Sequence, residues 1–339
     1  VFKNLQLDIG APHQFMDFQF RLDRPDSGEF WLPHCGALLD VEPFGEKRVK
    51  TMCHDIEDPT FDATAAATHP RMKMRPIHRP PREPAGRYPH CRWRVFLDDE
   101  GAPYEQHPNL PLMQKTLIAK VPIDLPEKDL EPGGWPDYAG EFDPGFQLED
   151  LGHRALLTVC QEAAVQAHLL SRSLLLNMDQ RHGEEKAREI GVQYWVGAAA
   201  VGAYRVRNAF ELGDGLDALA TVLQLHPHFQ PRSYVDIRVE LQGDRVRLVM
   251  DDCPALDEAD HHSWFGSLGE GPHRALEGIA VIVNPRARCH AADPGGARYA
   301  WEFTIEPGAE EREPPAEFKL AGYSRGVDYE LMARRPLRD

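Results

Sequence analysis

The sequence has little of what nucleic-acid-binding and membrane-spanning proteins require. Its formal net charge is −16 at pH 7. This excess of acidic residues argues against a nucleic-acid or anionic-membrane surface, because such a surface needs a basic face. The longest apolar run, WVGAAAVGAY, falls well short of the roughly 20 residues that cross a bilayer. We therefore expect neither a nucleic acid nor a membrane as a partner.

Cysteine is also scarce. Six Cys spread unevenly over 339 residues do not make the disulfide framework of a secreted protein. The first residues, VFKNLQLDIGAPH, lack the apolar core of a signal peptide, and because the chain begins at Val1 we expect its original start to be missing or processed. A reducing cytoplasm is the expected location.

Several signatures of common enzyme classes are absent as well. The sequence contains no GxGxxG, no GxxxxGK[ST] and no HExxH, so it has no motif for a dinucleotide site, a P-loop or a zincin metalloprotease. CxxCH is absent too, which excludes covalently attached haem. Histidine, by contrast, is abundant: the chain has 16 His, and they cluster in residues 34–90 and 226–290.

The hydrophobic pattern predicts an α+β fold with two ββαββ units, antiparallel sheets and a helical segment between them. In the first unit, FMDFQFRL, EFWL, MKMRPIH and CRWRVFL are predicted strands. TFDATAAAT is a predicted helix that begins at Asp58 as N-cap with Pro59 in the first helical position, and stops before His69. The expected boundaries are a first unit over 1–98, a Pro/Gly-rich wrapped linker over 99–146, the helical segment over 147–228, a second, degenerate unit over 229–307 and a C-terminal tail over 308–339.

The predicted helical segment contains an unusual run of small residues. Within GEEKAREIGVQYWVGAAAVGAYRVRNAF, Gly197, Ala200 and Gly202 have little or no side chain. They would let a neighbouring helix or a ligand approach the backbone closely.

The two predicted units match each other in order. DFQFRL corresponds to DIRVEL, HCGALLD to DCPALD, His69-Pro70-Arg71 to Asn284-Pro285-Arg286, and CRWRVFL to YAWEFTI. Chance similarity between two ββαββ units is one explanation. Because Cys, Pro-Arg and Trp positions recur in the same order, the sequence favours internal duplication.

The duplication separates residues that serve the shared fold from residues that serve something else. Cys35 has a counterpart in Cys253, but Cys53, His54, His78 and Cys91 have none. These four are predicted to meet from a helix start and the end of a hairpin, an arrangement that suits tetrahedral zinc. The competing interpretation is that the cysteines are small buried hydrophobes and the histidines lie in solvated loops.

At these residues the chain resembles two related families. A Cys, a second Cys before a helix, His-Pro-Arg, a loop and Cys-x-aromatic follow one another as in the bacterial L-2-amino-thiazoline-4-carboxylic acid hydrolase-like family. The same order is similar to the 4-vinyl reductase domain, a small-molecule-binding module also used in phenol-sensing regulators. The stretch GEEKAREIGVQYWVGAAAVGAYR resembles the Gly-Glu-Glu-x-Ala helices of the hydrolase-like family.

The resemblance implies a set of zinc ligands. In the sensor version of the domain, a Cys before the helix, a Glu and a Cys on the next strand, and a Cys after a loop hold zinc; by position these fall on Cys53, Arg75, His78 and Cys91. Arg75 cannot ligate a cation, so the fourth position stays open to His54, His34, Cys35 or water. The predicted metal-binding residues are Cys53, His78, Cys91 and Cys35.

Two functions follow as hypotheses. In the first, the protein is a zinc-dependent hydrolase or lyase in which His54 or Asp58 moves protons and Arg75 and Arg79 bind the carboxylate of a small substrate. In the second, it is a non-enzymatic small-molecule-binding protein with a structural zinc. The competing interpretations are that the acids complement a helix dipole and that the arginines form a solvated basic strand. A homo-oligomer is compatible with both.

Overall fold

The structure is a computed structural model that describes residues 1–322 apart from 9, 11, 129, 270 and 272. Its strands are β1 (Met16–Arg24), β2 (Ser27–Cys35), β3 (Met72–His78), β4 (Cys91–Leu97), β5 (Ile237–Gln242), β6 (Arg245–Met250), β7 (Ala287–Ala291) and β8 (Tyr299–Ile305). Its α-helices are α1 (Phe2–Leu7), α2 (Gly36–Val41), α3 (Glu46–Lys50), α4 (Glu57–Thr68), α5 (Leu110–Met113), α6 (His153–His182), α7 (Glu184–Ala209), α8 (Leu216–Leu225), α9 (Arg274–Val283) and α10 (Ala316–Ala321).

The strands form two four-stranded antiparallel sheets with the same arrangement. One sheet has the order β1-β2-β4-β3 and the other β5-β6-β8-β7. In each, the third and fourth strands of the unit form an antiparallel pair, and the helix before them crosses one face of the sheet. The combination of long helices and antiparallel sheets confirms the predicted α+β class.

The first unit has its own hydrophobic core. The inner face of its sheet presents Phe30 and Trp93, directly paired across β2 and β4, and α4 places Phe61 against both. The ring centroid of Phe61 lies 5.3 Å from that of Phe30 and 4.7 Å from that of Trp93. Edge-to-face contacts of this kind add roughly 0.5–1.5 kcal/mol per pair to the burial of the rings.

The second unit shares its core with the helical segment. Helices α7, α8 and α9 pack with its sheet around buried side chains such as Trp195, Leu219 and Trp301. The small residues of α7 allow the close approaches that the sequence predicts. A Cβ on Gly197 would lie 2.8 Å from the Glu317 carbonyl oxygen of α10, and one on Gly202 would lie 2.9 Å from Nε2 of His226.

The predicted start of the helix in the first unit is wrong. Asp58 is not an N-cap, because the chain is already helical from α3 onward and passes through a π-helical turn over Thr51–Ile56 into α4. Pro59 accounts for the widened turn, since a proline inside a helix has no N–H to donate and its ring crowds the carbonyl of Asp55, four residues earlier. The predicted end is right: α4 stops at Thr68, and His69 is extended.

The remaining segments contain little regular structure. Between residues 99 and 146, the described residues form α5 and a 3₁₀ turn over Ile118–Lys120, whose Ile118 is fully buried in the second core. Of the predicted C-terminal tail, α10 packs on α7, and residues 323–339 lie outside the described residues. None of the helices in the described part of the chain combines the length and apolar composition that a membrane crossing requires.

Candidate metal centre

Three thiols from separate elements face one cavity in the first unit. Cys35 ends β2, Cys53 lies in the π-helical turn and Cys91 begins β4, and all three are buried. The pairing of β2 with β4, in which Cys91 lies opposite Leu32, brings the end of β2 and the start of β4 together, and the π-helical turn adds Cys53 to the same cavity. The structure therefore brings together three of the four predicted metal-binding residues.

The cavity between these thiols is small. Its volume is about 20 Å³, and roughly 10–15 Å³ is what one water molecule needs. It has room for a water molecule or a metal ion and is too small for an organic substrate.

The thiols are protonated unless a cation is present. Burial raises the pKa of Cys35 to about 11 and that of Cys53 to about 12, with the neighbouring Cys35 adding to the rise at Cys53. Burial also raises the pKa of Cys91. Because a metal ion binds thiolates, its binding here must release protons, and its affinity must increase with pH.

Glu57 is the acidic residue of this cavity, and the sequence did not single it out from its acidic neighbours. It lies one helical turn after Cys53 and lines the same cavity. Burial, and then the nearby Asp58 and Asp8, raise the pKa of Glu57 to about 7. A Cys-x-x-x-Glu spacing places both side chains on one helix face, and this is the signal that could have identified it.

His78 does not join the predicted set. It lies opposite Arg92 in the ladder, whereas Trp93 lies opposite Pro76, so a β-bulge at Ile77 interrupts the alternation of side chains. Directly paired residues share a face, which puts His78 on the side of Arg92 and away from Cys91. Burial, followed by the charges of Arg87 and Arg92, lowers the pKa of His78. Without the bulge, His78 would pair with Cys91 and face the cavity.

His54 and Asp58, the predicted proton-transfer residues, have structural partners. The ring N–H at Nε2 of His54 donates to the carbonyl oxygen of Pro80 at 2.7 Å, which ties the helix to the loop after β3. Asp58 forms an ion pair with Arg79. Neither His54 nor Asp58 lines the thiol cavity.

The predicted carboxylate-binding arginines are already paired. Arg79 pairs with Asp58, and Arg75 pairs with Asp62 at 2.6 Å. The spacing explains this, since Asp58 and Asp62 are one turn apart on the face of α4 that packs on β3. A substrate carboxylate would have to compete with these acids.

The three sulfur atoms do not all lie within 4.8 Å of one another. Among the residues that the structure describes, one set of three potential ligand atoms has all its members within 4.8 Å of one another. That set belongs to Asp179, His261 and His262, and not to the cysteines. Tetrahedral zinc holds sulfur at about 2.3 Å, so the three thiols would have to move closer together around an ion. The donor set suits zinc, since thiolates are soft ligands.

A larger cavity lies on the other side of Met16. Its volume is about 290 Å³, and it is enclosed by α1, β1, the segment before α6 and the start of α6. Leu5, Phe18 and Phe146 supply apolar surface, and Gln6 and Gln19 supply polar groups. Such a mixture is typical of small-ligand pockets, which begin at about 300 Å³.

Comparison with known proteins finds no match: no protein-family model, no curated protein and no solved structure is significantly similar to this chain.

Proposed function

We propose that this protein binds a small molecule and that its first ββαββ unit contains a structural zinc ion bound through Cys35, Cys53 and Cys91. The observation that carries the proposal is the convergence of three thiols, from three elements distant in sequence, on one cavity of about 20 Å³. Thiolates are ligands that zinc prefers in structural sites. Glu57, which lines the same cavity, completes a closed set of four protein ligands.

The surroundings favour a structural ion over a catalytic one. The thiol cavity has no volume for a substrate, and Arg75 and Arg79 are engaged with acids of α4. An ion at this place would crosslink β2, β4 and the π-helical turn.

The proposed ligand site is the cavity of about 290 Å³ between α1, β1 and α6. Met16 contributes to the walls of both cavities, so an ion that orders the end of β2 and its partner β1 also orders the floor of the ligand site. The apolar floor would bind the hydrocarbon part of a small ligand, because the Gln6 amide is already hydrogen-bonded to the Asp143 carbonyl oxygen and the Tyr138 hydroxyl, and the Gln19 amide to Asp17.

The second candidate is a zinc-dependent hydrolase or lyase that acts on a small carboxylated substrate. One observation favours it: Glu57 shares the cavity with the thiols and has a pKa raised to about 7, so its carboxyl group can accept or release a proton near neutral pH. Zinc with an open coordination position supplies Lewis-acid catalysis. In this case Glu57, and not His54 or Asp58, is the residue that moves protons.

We also propose that the two units arose by duplication. Trp93 pairs with Phe30 on β2, and Trp301 pairs with Leu248 on β6, at the same place in each sheet. The first residue of β4 pairs with Leu32, and Cys35 comes three residues after Leu32. The first residue of β8 pairs with Met250, and Cys253 likewise comes three residues after Met250.

We further propose that the chain is related to the hydrolase-like and 4-vinyl reductase families and that it is located in the cytoplasm.

Zinc counting in matched cysteine variants tests the main proposal. Cys91→Ser should lose one zinc per chain relative to the wild type, because it removes a thiolate ligand. Cys253→Ser, at the equivalent position of the second unit, should keep full zinc content and cost roughly 1–3 kcal/mol of stability, as expected when a polar group enters a core. Equal zinc content in both variants would refute the site.

The same zinc-loaded protein separates the two candidate functions. L-2-Amino-thiazoline-4-carboxylic acid serves as the probe, since it is the substrate class that the resemblance suggests. Turnover that Glu57→Gln abolishes without loss of zinc would establish the enzyme. No turnover, with zinc bound as expected, supports the structural role.

A further inference from the structure

A second group of metal-ligating side chains lies at the junction of the helical segment and the second unit. Asp179 is in the last turn of α6, and His261 and His262 are in the loop between β6 and α9. Oδ2 of Asp179 is 2.8 Å from Nε2 of His262 and 3.5 Å from Nε2 of His261. All three ligand atoms lie within 4.8 Å of one another.

These separations suit a single ion. Zinc binds imidazole nitrogen and carboxylate oxygen at roughly 2.0–2.2 Å in tetrahedral sites, which puts neighbouring ligand atoms about 3.3 Å apart. The distances of 2.8 and 3.5 Å bracket that value. A set of two imidazoles and one carboxylate is typical of zinc and related transition metals, whereas Mg²⁺ and Ca²⁺ prefer oxygen ligands.

In both histidines Nε2 faces Asp179, and the other ring nitrogen, Nδ1, faces a second carboxylate. Nδ1 of His261 lies 3.7 Å from Oε1 of Glu184, and Nδ1 of His262 lies 3.4 Å from Oδ1 of Asp260. Asp260 is itself held by Arg172, whose Nη2 donates to its two carboxylate oxygens at 2.9 and 2.7 Å. The contact of Asp260 with His262 is a carboxylate–histidine arrangement of the kind that orients a ligating nitrogen, whereas Glu184 lies beyond hydrogen-bond distance and acts on His261 through its charge.

One ligand atom is without a hydrogen bond. Nε2 of His261 is buried, and no group in the described part of the chain hydrogen-bonds it. A buried polar atom that lacks a partner costs about 1–3 kcal/mol, so a native protein is expected to satisfy it. A cation shared with Asp179 and His262 would do so.

We infer that Asp179, His261 and His262 form a binding site for one divalent transition-metal ion of the zinc class, separate from the thiol cavity. The ion would join the end of α6 to the loop after β6. The side chains of Asp179, His261 and His262 are 28%, 13% and 11% exposed, so the site lies at the protein surface with its imidazoles largely buried. Three protein ligands leave one position of a tetrahedral ion for water or a ligand.

Cobalt titration of the metal-free, full-length protein tests this site separately from the thiol cavity. Thiolate-bound Co²⁺ has an intense near-ultraviolet charge-transfer band, whereas Co²⁺ bound by nitrogen and oxygen has only weak visible bands. Besides any Co²⁺ bound at the thiols, the wild type should bind one equivalent of Co²⁺ that adds no near-ultraviolet absorption. Cys91→Ser should retain that equivalent, whatever happens to the thiol site.

Substitution of the proposed ligand residues should weaken the binding of this Co²⁺ equivalent. Asp179→Asn and His261→Gln should weaken this equivalent by more than the roughly 10- to 100-fold that loss of an outer-shell partner costs. Glu184→Gln should weaken it by less, up to about tenfold, because its carboxylate lies 3.7 Å from Nδ1 of His261. His290→Gln, which alters an exposed histidine of β7, is the matched control and should bind as the wild type does. Circular dichroism of each metal-free variant checks its fold.

Two results would overturn the inference. If the wild type binds no Co²⁺ with nitrogen and oxygen ligands, or if the folded Asp179→Asn and Glu184→Gln variants bind as tightly as the wild type, the three residues form only a hydrogen-bonded His–Asp network. Neither result bears on zinc at the thiols.

Discussion

Single residues decide the chemistry of both candidate metal centres, and some of them lie where sequence patterns do not reach. Strict alternation along β3 would turn His78 toward Cys91, and only the bulge at Ile77 prevents this. A bulge depends on packing with the partner strand and has no reliable signature in one sequence. His261 and His262 were missed for a different reason, since their partner Asp179 lies on a separate helix.

The buried histidines of the second core make a prediction at this scale. Burial lowers the pKa of His226 to about 4 from its usual 6.5. The neutral ring satisfies both nitrogens: Nε2–H donates to the Ala199 carbonyl oxygen at 2.9 Å, and Nδ1 accepts the His228 N–H at 3.2 Å. Protonation would place an N–H on Nδ1, facing another N–H.

His226 should therefore destabilise the protein in acid. Between pH 6.5 and pH 4 the unfolded chain binds a proton at this residue that the folded chain does not bind. The free energy of unfolding should be highest above pH 6.5 and fall by about 3 kcal/mol from His226 alone as the pH decreases to 4. His168, whose pKa burial also lowers to about 4, adds to the fall.

Urea unfolding at pH 7 and pH 4 in His226→Gln measures this contribution. The variant should be less stable at pH 7 but lose less stability on acidification than the wild type. His290→Gln, on the surface, should keep the wild-type pH dependence. An unchanged pH dependence in His226→Gln would show that His226 is not held neutral.

At the scale of elements, the sequence is informative where periodicity and local turn chemistry act alone. The bounds of β3 and β4 agree with the predicted MKMRPIH and CRWRVFL. The chain reverses between β5 and β6 at Gly243, whose φ of 61° suits a glycine. The start of the first unit's helix could not be read in this way, because Asp58-Pro59 is a good helix start by local rules and only the packing of α3 extends the helix before it.

Helix α7 offers a matched pair of glycines for a prediction. An Ala at position 202 would put its Cβ 2.9 Å from Nε2 of His226, a buried ring that is held by hydrogen bonds. Gly202→Ala should therefore destabilise the protein by roughly 1–3 kcal/mol, the range for overpacking. At position 191 the Cβ would meet only the end of the Leu175 side chain at 3.3 Å. Gly191→Ala should be neutral or stabilise by up to about 1 kcal/mol, because alanine favours helix.

Denaturant midpoints of the two variants test this contrast. Equal effects of Gly202→Ala and Gly191→Ala would mean that helix propensity, and not the approach of His226, controls position 202.

At the scale of the whole molecule, the residues that the structure describes form two hydrophobic cores. Phe30, Trp93 and Phe61 belong to the first, and Leu248 and Trp301 belong to the second. Each core is built on one four-stranded sheet. An ion bound at the thiols contacts only the first.

Zinc at the thiols should therefore stabilise one half of the molecule. Amide hydrogen exchange in Asp179→Asn, where only the thiol site remains, measures this. At a free zinc concentration 100 times the dissociation constant, binding contributes about 2.7 kcal/mol, so the most protected amides of β2 and β4 should exchange roughly 100-fold more slowly than without zinc. Amides of β6 and β8 should keep their exchange rates.

The double variant Asp179→Asn/Cys91→Ser is the control, in which zinc should change the amide exchange rates of neither sheet. Slower exchange in both sheets of Asp179→Asn would instead show that the two cores unfold as one cooperative unit, because stabilisation at the thiols would then be transmitted to the second sheet.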